Sequence, residues 1–114
     1  MVDSGTLATS AQTLLAIGAN ASATQILEAN TNIWILMAEA DMELEAKGIG
    51  LVANYADIPA AQKQWLALVA SSRAAFYAIN QNQQSWSLAV TQSKLNVLDS
   101  IWTEAKPRLS ALDI

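Results

Sequence analysis

Helical periodicity runs the length of this chain and constrains its fold more than any other feature. No stretch alternates apolar and polar residues convincingly, and Ala, Leu, Gln and Glu, all good helix formers, dominate. Only two prolines occur, Pro59 and Pro107. The expected fold is all-α: a single helical domain over 1–114, a four-helix antiparallel bundle-like arrangement with a kinked or broken C-terminal helix. The helices are placed at about 4–17, 23–47, 59–80 and 86–112.

The first helix carries its stripe on Leu7, Ala11, Leu14 and Leu15, and Gly18 stands where a left-handed C-cap is expected. Ser22 in "GANASAT" is the expected N-cap of the next helix. The span from Ser4 to Leu27 carries no charge, so it is either buried in its own domain or an arm that packs on a neighbour.

The second helix holds the unusual stretch "NIWILMAEADMELEAKGIG", where an apolar block runs into Glu39, Asp41, Glu43 and Glu45. Successive residues turn about 100°. Ile26, Ile33, Met37, Ala40 and Leu44 then form one stripe, assigned to the core. Glu39 and Glu43 make one ridge, Asp41 and Glu45 the other, and between them lies a second apolar stripe of Ile35, Ala38, Met42 and Ala46. A helix with two apolar faces is normally sandwiched. The second stripe, Ile35 and Met42 above all, is therefore assigned to a subunit or partner contact, with isolated exposed side chains as the plain alternative. The four carboxylates repel one another and oppose the macrodipole at a helix C-terminus. They are read either as solubilising charge or as an acidic surface facing something that must not adhere or something basic. Carboxylates on one straight helix cannot wrap a Ca²⁺ ion.

The linker "GIGLVANYADIPAAQ" puts the third N-cap at Asp57 or Ile58, with Pro59 in the first turn. Trp65, Leu68 or Val69, Ser72, Phe76 and Ile79 make the main face of the third helix. Ala70, Ser71, Ala74, Ala75 and Ala78 permit close helix approach. After the polar turn at 80–85, the last helix keeps its period through Leu88, Leu95, Leu98, Ile101 or Trp102, Ala105, Leu109 and Leu112. Pro107 is expected to break or kink it near 104–106. Of the four Trp, Trp65 and one of Trp34 or Trp102 are expected in the core, and Trp86 is the candidate exposed anchor.

Chemistry is narrowly bounded. With no Cys and no His, the chain lacks disulfides, thiolate or imidazole metal ligands, and any His-based acid–base pair. No phosphate-cradling Gly-rich loop exists, and the remaining carboxylates, Lys, Tyr and Ser form no known constellation. No catalytic, cofactor or metal residue is assigned and the chain is read as not an enzyme; Glu28 and Asp99 are the only carboxylates that a bundle-cavity activity would recruit. A net charge of −4 without a basic stripe disfavours nucleic-acid binding. No apolar run reaches the roughly 20 residues of a membrane span, and the first basic residue is Lys47, so no secretory leader is expected. Hydrophobic residues make up 53% and charged residues only 14%, a surface short of charge that contact with other subunits would accommodate.

Residues 51–102, "LVANYADIPAAQKQWLALVASSRAAFYAINQNQQSWSLAVTQSKLNVLDSIW", carry a family resemblance. Asn54-Tyr55 precedes a helix with the run Ser72 to Phe76 and the ending Ala78-Ile79-Asn80, and Leu95-Asn96-Val97-Leu98 follows in the last helix. Upstream, Gly18-Ala19-Asn20 and the Ala38-Glu39 junction are similar too. Together these residues resemble the small helical head–tail connector (neck or adaptor) proteins of tailed bacteriophages. The turn from Asn80 to Ser85 lacks the family's frequent Gly, and Leu88 stands where a basic residue often follows the opening Ser. The resemblance implies a structural virion protein at the phage neck, assembled in the host cytoplasm. It implies a homo-oligomeric ring of about twelve copies, with the portal and a tail or stopper protein as partners, extending the channel through which DNA passes. Ile35, Glu39, Asp41, Met42, Glu43, Glu45 and Trp86 are then the interface or lumen candidates. The alternative is a small cellular helical adaptor binding one partner through Ile35, Met42 and Trp86.

Overall fold

The computed structural model describes residues 5–17, 28–46, 50–81 and 88–111. Within them the chain is all-α and bundle-like, with α1 at Ser10–Ile17, α2 at Glu28–Glu45, α3 at Ala60–Gln81 and α4 at Leu88–Ser110. A short 3-10 turn spans Tyr55–Asp57. The central element is α3, because α1, α2 and α4 all pack on it, and α2 also meets α1 and α4. Its small residues make this possible. Ala70, Ser71, Ser72, Ala74, Ala75 and Ala78 are all buried, so neighbouring backbones approach from several sides, while Leu66, Val69 and Ile79 fill the remaining space.

The first helix begins at Ser10, later than the apolar spacing suggested, and residues 5–9 approach it without helical structure. The reason is a capping box. Gln12 N–H donates to Thr9 Oγ1 at 3.1 Å and Thr9 N–H donates to Gln12 Oε1 at 2.9 Å. The buried face of α1 is Thr13 and Ile17; Ala11 and Leu15 point outward.

Gly50 opens the connection to α3 in a left-handed conformation, φ 79°. Asn54 closes the turn on its carbonyl, donating from the backbone N–H at 2.8 Å and from Nδ2 at 3.1 Å. Ile58 is extended, as the residue before a proline must generally be. The Pro59 carbonyl accepts the Lys63 N–H at 3.0 Å, so Pro59 is itself the N-cap rather than part of the first turn.

The last helix buries Leu98, Trp102, Ala105 and Leu109, the periodicity expected of it. It runs unbroken through Pro107 to Ser110. Proline removes the donor that the Thr103 carbonyl would otherwise meet. Thr103, Lys106, Pro107 and Arg108 are all exposed, so the proline sits on the solvent side of the helix, where a missing backbone bond costs least, and the helix continues. Trp34 and Trp102 are both buried and Trp65 only partly so.

The largest departure is at α2. Ile35, Ala38, Met42 and Ala46, the stripe assigned to a partner, are the chain's own core. The stripe assigned to the core lies outside: Ile33 is 55% exposed, Met37 36% and Leu44 79%, joined by Leu36 at 48% and by exposed Ala40. The helix has two apolar faces, as read, but their roles are reversed. Part of the cause is where the acids sit. Glu39 lies only about 40° round the helix from Ile35, close enough to enter the core boundary with it.

Candidate interaction surface

Three of the four acids between residues 39 and 45 are occupied within the molecule. Glu39 is buried, and its Oε2 accepts the backbone N–H groups of Thr6 and Leu7, each at 2.6 Å. Such charge-assisted bonds are about twice as strong as neutral ones, and here they fasten the segment before α1 onto α2. Gly5 allows the chain to come this close, because an added methyl there would overlap Ile35 Cγ2. Leu7 and Ala8 are thereby buried. Glu43 Oε1 accepts the Val52 N–H at 2.9 Å and ties the α2–α3 connection to α2.

Asp41 joins a cluster that spans three helices. Its Oδ2 accepts from Arg73 Nε at 3.1 Å and from the Tyr77 hydroxyl, and Arg73 Nη2 lies 3.4 Å from that hydroxyl. The Arg73 guanidinium carbon sits 4.9 Å from the Phe76 and Tyr77 ring centres and 4.7 Å from that of Trp102 on α4. The Arg73 side chain is 17% exposed and that of Asp41 28%, so water screens the pair only in part. Tyr77 has its pKa pushed above the ordinary tyrosine value, first by burial and then by its hydrogen bond to Asp41, against the lowering effect of Arg73.

Ile35 and Met42 are wholly buried, so neither meets a partner as the sequence suggested. Glu39, Asp41 and Glu43 act as clasps between segments of their own chain rather than as an outward ridge. Glu45 is half-exposed and makes no hydrogen bond or ion pair among the described residues. Trp86 lies outside the described residues.

What the molecule presents instead is two apolar surfaces on different elements. One is the α2 ridge of Ile33, Leu36, Met37 and Leu44. The other is a groove of about 510 Å³ where α1 and α4 flank α3, lined by Leu15, Leu68, Val97 and Ile101 among others. Leu15 is 82% exposed, Leu68 52% and Val97 57%. Asp99 is exposed. Among the described residues no group of three or more acidic, His or Cys side chains is placed to hold a metal ion. No described helix is long and apolar enough to cross a membrane.

Two parts of this arrangement carried a signal in the sequence. Thr9-x-x-Gln12 is a capping-box spacing and marks the start of α1. Arg73 is the only charge between Lys63 and Lys94, with Phe76 and Tyr77 three and four positions on, the spacing at which helical side chains meet. Nothing local marks Glu39 as the ligand of Thr6 and Leu7, since that contact joins segments remote in the chain.

In comparisons with known proteins, no family model, no curated protein and no solved structure matches this chain.

Proposed function

We propose that this protein is a structural subunit of the neck of a tailed bacteriophage, a ring-forming connector that joins portal to tail and extends the DNA channel. The observation that carries the reading is the α2 ridge: Ile33, Leu36, Met37 and Leu44 form one contiguous apolar stripe on the surface of a chain only 14% charged. Contiguous exposed apolar patches mark interaction sites. The resemblance of residues 51–102 to phage connectors supplies the kind of assembly. In this reading the ridge, rather than Ile35 and Met42, makes the subunit contact, and of the acids between residues 39 and 45 Glu45 is left to face the channel or a basic neighbour.

The test is calibrated mass spectrometry for this chain in purified tailed-phage particles. About a dozen copies per particle, a closed cyclic ring, is the expected result. Absence from mature particles would overturn the proposal and direct attention to a single-partner adaptor, sought by pull-down with wild type against Met37→Glu.

A further inference from the structure

We infer that the α2 ridge of one copy seats in the α1–α3–α4 groove of the next, a head-to-tail contact between two copies of this chain. The inference rests on the ring reading above and supplies the pair of surfaces that it lacks. Length is one argument. From Ile33 to Leu44 the ridge runs about 16 Å, and the groove runs about 12 Å along α3 from Gln64 to Ser72. The ridge is aliphatic, and the groove is lined by Leu68, Val97 and Ile101 together with the polar side chains of Gln12, Gln64 and Ser71.

Charge is the second argument, and it selects the occupant. Glu43 flanks the ridge on one side and Glu45 lies beyond Asp41 on the other; Asp41 itself is paired with Arg73, and α2 contains no basic residue. The groove has a single charged lining residue among those described, and it is Lys94. In a chain of net charge −4, the groove is therefore complementary to the ridge. The alternative symmetric contact, ridge against ridge, would place the carboxylates of two copies side by side and is disfavoured. Because ridge and groove occupy different elements, their pairing is heterologous and propagates from copy to copy until a rotation closes it.

The chain has no cysteine, so introduced thiols report without background. Met37→Cys is mixed, under oxidising conditions at high protein concentration, with Leu15→Cys, Leu68→Cys or Val97→Cys. All four positions are exposed, and circular dichroism against wild type checks that each variant folds. The expected result is a disulfide-linked dimer in at least one mixture, lost on reduction. It should be absent from each variant alone, and lost again when Lys94→Glu is added to the groove variant. A dimer formed by Met37→Cys alone would show a ridge-to-ridge contact and overturn the inference. So would the absence of any cross-link in all three mixtures. If cross-links are absent while particles carry about a dozen copies, the connector reading stands and this contact falls; cross-links with no copies in particles give the converse.

Discussion

A buried carboxylate is expensive unless donors fill its lone pairs, and Glu39 is filled by the amides of Thr6 and Leu7. Removing the charge while keeping the shape isolates that effect. Glu39→Gln should lower stability by about 1–3 kcal/mol, read from urea unfolding, and should raise the hydrogen-exchange rate of the Thr6 and Leu7 amides. An unchanged unfolding midpoint with unchanged exchange would show that the segment before α1 is held by apolar contacts alone. Gly5 works with Glu39, since no side chain fits between it and Ile35. Neither residue announces this partnership locally. Thr9 and Gln12 do, because both partners of the capping box lie within one turn.

Among the elements, α2 and α4 show two ways in which a helix departs from its pattern. In α2 both apolar stripes satisfy the helical period equally well, and the period is silent on which one meets α3. In α4 the proline was expected to kink or break the helix, and the helix runs through it. Thr103 and Pro107 are both exposed, so the penalty is smaller than in a buried helix. Pro107→Ala restores the missing donor and a better helix former, and should therefore stabilise the protein, by at most about 3 kcal/mol, measured as a higher Tm in thermal melts. A lower Tm would mean that Pro107 holds a bend on which the packing of Leu109 depends. The connection before α3 was more legible, since Pro59 and its extended neighbour Ile58 follow from proline sterics alone.

For the molecule as a whole, Arg73 is the joint. It bonds α2 through Asp41, stacks on Phe76 and Tyr77 of its own helix, and reaches Trp102 of α4. Tyr77 shares this site and keeps its proton to higher pH in the folded chain than in the unfolded one. Below about pH 10 both states hold that proton and the stabilising contribution is complete. Above it the unfolded chain ionises first, so stability falls as pH rises through the folded value. Urea midpoints followed from pH 8 to 11 should drop for wild type, and the drop should be shallower for Tyr77→Phe. Parallel curves would show that another group governs the alkaline limb. The same packing that makes Arg73 the joint leaves the α2 ridge exposed and the groove open.

Fold class was in the sequence because it depends on local terms. Helix propensity, a period near 3.6 and two punctuating prolines act over a few residues, and they place four helices without reference to any partner. The small-residue face of α3 was legible for the same reason: Ala, Ser and Ala at helical spacing permit close approach whatever approaches. The placement of Ile35 and Met42 inside, and of Ile33 and Leu44 outside, was decided only by tertiary packing. Two stripes of similar hydrophobicity are nearly degenerate in isolation. The buried stripe goes with contacts to distant parts of the chain: Glu39, beside Ile35, reaches residues 32 and 33 positions away, and Asp41 reaches residues 32 and 36 away. Those bonds exist only once the chain has folded.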